Sequence, residues 1–371
     1  MKPLKIIVSG GGTGGHIFPA IAIANAIKTL RPDTEFLFVG AYGKMEMEKV
    51  PAAGFPIEGL WITGIQRKLT LSNLIFPIKL IVSLIKAKKI LKKFKPNAVI
   101  GTGGFASGPI LQTATNKGII TLIQEQNSYP GITNKILSKK VDRICVAFPG
   151  MEKYFPKEKI MLTGNPVRQD IIVIENKRDE AIKMFGLKND SKTILVIGGS
   201  LGARTINESI LTCLEEFTKN NIQVIWQTGK GFYQNAQQAI SIYKNNEVVV
   251  YDFIHKMDYA YAAADIVISR AGASSVSELC LVKKACILIP SPNVAEEHQT
   301  KNAMALVTHH AAILIKDNEA KEKLCKQAIA LINDSEQCCH LSKKIGELAL
   351  HNSANVIANE VLNLIKNKKE Q

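Results

Sequence analysis

The sequence predicts an α/β protein built as two parallel-sheet domains, and three observations predict it. Apolar runs of strand length alternate with helical patterns along most of the chain. Two of those runs end in glycine clusters that lead straight into helices, and the charge balance changes abruptly near the middle of the chain. A length of 371 residues is long for one core and agrees with two domains. With 46% hydrophobic and 21% charged residues, there is enough apolar material for buried cores, which excludes a disordered or fibrous chain.

Taken in order, the first strand is read at residues 5–9 (KIIVS), followed by Gly10 to Gly15 (GGGTGG), His16, and a helix over about 19–30. Buried strands are expected at 35–39, 98–100, 119–123 and 144–146, each apolar on both faces as a parallel sheet covered by helices requires. Between Trp61 and Ile100 lie nine basic residues and no acidic one, while Leu71, Leu74, Ile75, Ile78, Ile81, Val82 and Ile85 recur at helical spacing. Pro77 is expected to bend this helix, and Lys79 interrupts the apolar run, so the roughly 20 apolar residues of a membrane span are not available. A helix lying on an anionic membrane surface fits the pattern, as does a core-packed helix with a solvated lysine face. Aromatic residues suited to base stacking are sparse here, which argues against a nucleic-acid partner.

Glycine and proline punctuate the chain at Gly164-Asn165-Pro166-Val167-Arg168. The charge changes at the same place. Residues 1–166 carry 23 Lys+Arg against 9 Asp+Glu, and residues 167–371 carry 24 against 23. The domain boundary is therefore placed there, giving domains 1–165 and 166–345. The strongly basic first domain attracts anions at long range. The second domain opens as the first does, with a strand at 193–197, Gly198, Gly199, Ser200 and Gly202, then a helix over 204–219. Strands at 223–226, 248–251, 266–269 and 285–289 follow, and about 335–366 reads as helices.

A glycine loop between strand and helix lets backbone N–H groups approach a phosphate, and the helix dipole favours its charge. Gly10, Gly12 and Gly15 satisfy G-x-G-x-x-G, so a nicotinamide-dependent oxidoreductase is the alternative enzyme class; its acidic residue after the second strand is missing, because Val39 is followed by Gly40, Ala41 and Tyr42. His16, at the helix start, is a candidate general base, since a positive helix end favours the neutral imidazole. Gly103 and Gly104 in the segment GTGGFASG can cradle a second anionic group. Ser274 and Ser275 suit a diphosphate and Glu278 a ribose, although Ser275-x-x-Glu278 also fits a capping box. There is no G-x-x-x-x-G-K-[ST], no H-E-x-x-H and no Asp-x-Asp pair, so no metal is expected, and helix ends, backbone donors and basic side chains must stabilise a leaving diphosphate. The seven cysteines are odd in number and lack C-x-x-C spacing, and residues 1–15 lack a long apolar signal region, so a reducing cytoplasmic location is expected.

Six segments together resemble one known family: Gly11-Gly12-Thr13-Gly14-Gly15-His16-Ile17-Phe18-Pro19, Gly103-Gly104-Phe105-Ala106-Ser107-Gly108-Pro109, Glu125-Gln126-Asn127, Gly164-Asn165-Pro166-Val167-Arg168, Gly198-Gly199-Ser200-Leu201-Gly202-Ala203, and Arg270-Ala271-Gly272 through Ser277-Glu278. They are similar, in the same order, to the bacterial UDP-N-acetylglucosamine transferases of peptidoglycan synthesis, the MurG family, which convert lipid I to lipid II. The resemblance implies a GT-B fold, two Rossmann-like domains facing a cleft, with the last helix, about 346–371, returning to the first domain. It implies inverting transfer without a metal or other cofactor, and for such a transfer His16 is the leading general base and Glu125 an alternative or partner. By the same resemblance Arg168, Ser200 and Ile254 lie around the uridine and diphosphate, with Ser274 and Ser275 at the same helix start. Glu278 lies at the ribose and Gln299 near the sugar hydroxyls. Thr13, Gly14, Gly15 and Asn127 line the cleft from the first domain, and Gly14, Gly15, Gly103 and Gly104 hold the acceptor's pyrophosphate. Partners implied are UDP-N-acetylglucosamine, lipid I, the cytoplasmic face of the inner membrane and other cell-wall synthesis proteins. The sequence departs from the family at Gln124, where a histidine is common, and in the 290–299 loop, where His298 replaces a common glutamine.

Overall fold

The computed structural model describes residues 3–64, 74–168, 171, 173–199, 201–242 and 247–370. The chain divides into two compact units, Met1–Val167 together with His351–Gln371, and Arg168–Leu350.

The first unit is a seven-stranded parallel sheet of β1 (Lys5–Ser9), β2 (Glu35–Ala41), β3 (Ile57–Leu60), β4 (Ala98–Gly101), β5 (Ile120–Glu125), β6 (Arg143–Val146) and β7 (Ile160–Leu162). Its order is β3-β2-β1-β4-β5-β6-β7, so β1 lies beside both β2 and β4, with Ile6 opposite Phe36 and Ala98. Alternate residues of β1 feed different cores. Ile6 and Val8 pack with the Gly14–Leu30 helix, while Ile7 packs on the other face with Ala87, Ile90 and Leu91 of the Phe76–Phe94 helix. That two-sided burial is why Ile6, Ile7 and Val8 are all apolar. The chain's last helix, Ser353–Glu370, adds Ile357, Ala358, Val361 and Ile365 to the first of these cores.

The second unit is a six-stranded parallel sheet of β8 (Lys192–Ile197), β9 (Ile222–Gln227), β10 (Val248–Tyr251), β11 (Ile266–Ser269), β12 (Ala285–Leu288) and β13 (Ile313–Leu314), ordered β10-β9-β8-β11-β12-β13. Both units are thus α/β with Rossmann-like parallel sheets.

Several sequence expectations need correction. The first helix begins at Gly14, with Thr13 as its N-cap, rather than near Pro19; Pro19 lies inside the helix, beyond the first-turn N–H groups that lack partners, and leaves the Gly15 carbonyl without its usual donor. Pro77 occupies the first turn of Phe76–Phe94 and starts the helix instead of bending it. β3, β7 and β13 escaped the apolar-run criterion: β3 contains Glu58 and Gly59, and the other two are only three and two residues long. Leu71, with Arg67 and Lys68, lies outside the described residues.

Candidate active site

In each unit the glycine turns sit at the carboxyl ends of the two strands where the sheet order reverses. These are β1 and β4 in the first unit, and β8 and β11 in the second. A crevice opens at such a reversal because the connections leave toward opposite faces of the sheet, and this is where doubly wound sheets bind their ligands.

In the first unit, Thr13 is extended, and its carbonyl accepts from His16 N–H at 3.1 Å and Ile17 N–H at 3.2 Å. The helix offers no acceptor to the Gly14 and Gly15 N–H groups, which point from its positive end. The turn after β4 meets this one closely. Gly103 has φ +96°, and a Cβ there would stand 3.0 Å from the His16 ring; a Cβ on Gly104 would stand 2.3 Å from the Gly11 carbonyl oxygen. Only glycine fits either position. Thr102 Oγ1 donates to the His16 carbonyl at 2.7 Å and ties the two turns together.

His16 is half-buried, with Nδ1 2.9 Å from Gln126 Oε1. Glu125 is buried and fully engaged. Its carboxylate accepts from Asn127 N–H (3.1 Å), Asn127 Nδ2 (3.2 Å), Gly131 N–H (3.1 Å) and Asn134 Nδ2 (2.8 Å). These bonds fold the loop after β5 and hold Asn127 in place. Sequence reasoning missed Gln126, although it lay inside a quoted motif, and it missed Glu46. Glu46 is fully buried and accepts from Gly12 N–H and Ala41 N–H, both at 3.0 Å.

In the second unit, Arg168 Nε pairs with Glu278 Oε1 at 3.2 Å, and the Tyr261 hydroxyl donates to Glu278 Oε2 at 3.0 Å. Burial, reinforced by the adjacent carboxylate, holds the Tyr261 phenol well above its usual range, so it remains a donor. The helix carrying Glu278 runs Ala273–Val282 with Gly272 as its N-cap, so Ser275 is not the cap of a capping box. Ser274 and Ser275 lie in its first turn, half-buried. The turn after β8 packs onto the one after β9: Gly202 has φ +79°, and a Cβ there would stand 2.0 Å from the Thr228 carbonyl oxygen. Gln227, another residue the sequence reading passed over, donates to the Gly199 carbonyl at 3.1 Å and accepts from Ile254 N–H at 2.9 Å. It joins the glycine turn to Ile254, whose side chain is buried. Ser200 lies outside the described residues.

Gln299, at the start of the His298–Val307 helix, accepts from Ser291 N–H at 2.9 Å and closes the loop before it. Glu296 and Glu297 in that loop have φ +51° and +55°. Two consecutive left-handed residues other than glycine cost on the order of 1–3 kcal/mol each, the kind of strain that collects at ligand-binding segments.

The buried thiols Cys145, Cys213, Cys280 and Cys286 are pushed up by burial, Cys280 to about 12, and stay protonated.

Both units thus carry glycine turns at the reversal of strand order, the place where doubly wound sheets take phosphate-bearing ligands. Residues 6–146 match the glycosyltransferase family 28 N-terminal domain, and residues 193–360 match the glycosyltransferase family 28 C-terminal domain. A relative in Parabacteroides distasonis, named UDP-N-acetylglucosamine--N-acetylmuramyl-(pentapeptide) pyrophosphoryl-undecaprenol N-acetylglucosamine transferase, is 53% identical over 99% of this chain and 100% of its own. One of the same name in Cytophaga hutchinsonii is 55% identical over 100% and 99%. The crystal structure of Acinetobacter baumannii MurG superposes with a TM-score of 0.80 at 27% identity, covering 97% of this chain and 100% of that one. The chain therefore belongs to the MurG family of glycosyltransferase family 28.

Proposed function

We propose that this chain transfers N-acetylglucosamine from UDP-N-acetylglucosamine to the 4-hydroxyl of the muramyl sugar of an undecaprenyl-pyrophosphoryl-muramyl pentapeptide, converting lipid I to lipid II in peptidoglycan synthesis. The acceptor oxygen attacks the anomeric carbon as the bond to the UDP β-phosphate oxygen breaks, so the configuration inverts. The acceptor's proton passes to His16. UDP leaves with its charge met by the Ala273–Val282 helix start, backbone N–H groups of the β8 turn and Arg168. Glu278 receives the ribose, and Ile254, Ser200, Ser274, Ser275 and Gln299 complete the donor site. Gly14, Gly15, Gly103 and Gly104 hold the acceptor pyrophosphate, with Thr13 and Asn127 beside them. Glu125 serves as the partner that shapes the loop after β5, because four donors already occupy its carboxylate.

The observation that supports this reading is the position of His16, directly after the first glycine turn and against Gly103 of the second, with its Nδ1 already engaged. A positioned base contributes about 10²–10⁴-fold in rate. His16→Ala is therefore expected to lower turnover by that order, with thermal protection by UDP-N-acetylglucosamine retained. The assay is incubation with labelled UDP-N-acetylglucosamine and a prenyl-pyrophosphoryl-muramyl peptide. Unchanged turnover in the variant removes His16 from the role, and protection by NAD(P)H instead of the sugar nucleotide removes the reading altogether.

The enzyme meets its lipid acceptor at the inner membrane's cytoplasmic face, docking peripherally by the Phe76–Phe94 helix. Among the described residues no helix is long and apolar enough to cross a membrane. Ile78 and Ile81 are 56% and 58% exposed, with Leu74, Ile75, Val82 and Ile85 exposed beside them. Lys88, Lys89, Lys92 and Lys93 are exposed further along the same helix. An exposed apolar stripe with a basic flank supports docking to anionic headgroups.

A further inference from the structure

The amides behind His16 form a relay whose polarity determines which ring nitrogen carries the proton. Asn165 Nδ2 donates to the Gln126 carbonyl at 3.0 Å, so Asn165 Oδ1 is turned to accept from Gln124 Nε2 at 2.9 Å. Gln124 Oε1 is thereby turned toward Gln126, whose Nε2 donates to it, to the Thr102 carbonyl at 2.7 Å and to the Gln124 carbonyl at 3.2 Å. Three acceptors surround Gln126 Nε2. Turning the amide over would set its oxygen against three other oxygens in a site where Gln124, Gln126 and Asn165 are all buried. Gln126 Oε1 therefore faces His16 Nδ1 at 2.9 Å, and a carbonyl oxygen can only accept.

We infer that Gln126 is a positioning residue for the reaction: it holds neutral His16 with the proton on Nδ1, leaving the lone pair on Nε2 to take the acceptor's proton. The inference rests on the reading of His16 as the base and adds the group that selects its tautomer. In many hydrolases a carboxylate orients the catalytic imidazole. Here the carboxylates of Glu125 and Glu46 are committed to other donors, Glu125 to Asn127, Gly131 and Asn134, and Glu46 to Gly12 and Ala41. A neutral amide, itself fixed by Gln124 and Asn165, takes that place. The relay runs through the amides of Asn165, Gln124 and Gln126, whose donor and acceptor ends do not change with pH.

The test is nitrogen NMR of the full-length protein labelled with ¹⁵N-histidine, with the His16 signals identified by their loss in His16→Gln. At neutral pH Nδ1 is expected to be protonated and Nε2 bare; a proton on Nε2 overturns the inference. Gln126→Met keeps the chain length and removes the acceptor. It is expected to lower kcat about 10- to 100-fold, part of what a positioned base supplies, with KM for UDP-N-acetylglucosamine unchanged and both tautomers present. Wild-type kcat in a folded Gln126→Met protein also overturns it. Should that variant not fold, the tautomer in the unmutated enzyme still decides. Full turnover in His16→Ala removes the base reading whatever the tautomer, whereas an inactive His16→Ala with the proton on Nε2 removes only the role given to Gln126.

Discussion

Glu46 lies 34 residues from Gly12 in the chain, yet it sets the shape of the first glycine turn. One of its oxygens accepts from Gly12 N–H and the other from Ala41 N–H, so the turn after β1 and the end of β2 are held by a single side chain. A Cβ on Gly11 would stand 2.1 Å from the same carboxylate, so any larger residue there must push Glu46 away from the N–H groups it holds. Glu46→Ala leaves the buried Ala41 N–H and the part-buried Gly12 N–H without this partner. The expected loss is about 1–3 kcal/mol for Ala41 with a smaller share from Gly12, measured by urea unfolding. A loss under about 1 kcal/mol would mean that water replaces the carboxylate. Nothing in the run KMEMEKV distinguishes Glu46 from Glu48, which is exposed. Periodicity reports which face of a helix is buried, and in a seven-residue helix it carries too few turns to single out one acid. Gln126 and Gln227 were illegible for a related reason: a buried amide is recognised by its partners, and those lie far along the chain.

At the level of the element, the Phe76–Phe94 helix uses its two faces differently. Ser83, Ala87, Ile90 and Leu91 are buried against the sheet, whereas the stripe from Leu74 to Ile85 faces solvent. The periodicity of the stripe was legible, but the same spacing fits a core face and a membrane face. Only the packing shows that the stripe stays exposed among the described residues. Replacing Ile78, Ile81 and Ile85 together by serine is expected to abolish retention on phosphatidylglycerol vesicles at low salt. The melting temperature should stay unchanged, since exposed side chains contribute little to folding. Retention of the parent protein should fall as salt rises, because headgroup attraction is screened beyond about 8 Å at physiological ionic strength. Equal retention on neutral and anionic vesicles would exclude the electrostatic part.

For the molecule as a whole, the chain's return to the first unit is the feature that local sequence carries least well. The Ser353–Glu370 helix packs along Gly14–Leu30, and Arg143 Nε pairs with Glu360 at 2.6 Å. Ile357 is fully buried, and Ile357→Ala is expected to cost about 2–5 kcal/mol. Hydrogen exchange should then quicken in β1 and β4, with β8 and β11 keeping their rates, because each unit has its own core. Equal acceleration in both sheets would show that the units unfold together. The sequence by itself determined the α/β class, most strands of both sheets, the paired glycine turns and the basic first unit, since strand burial, turn geometry and net charge are set by residues close together in the chain. Only the tertiary structure decided which carboxylates are spent on backbone donors, which apolar stripe stays exposed, and which nitrogen of His16 holds its proton. Several of the deciding bonds join distant residues, 34 positions apart for Gly12 and Glu46 and 110 for His16 and Gln126, and a buried polar group takes its role from the partner that folding brings to it.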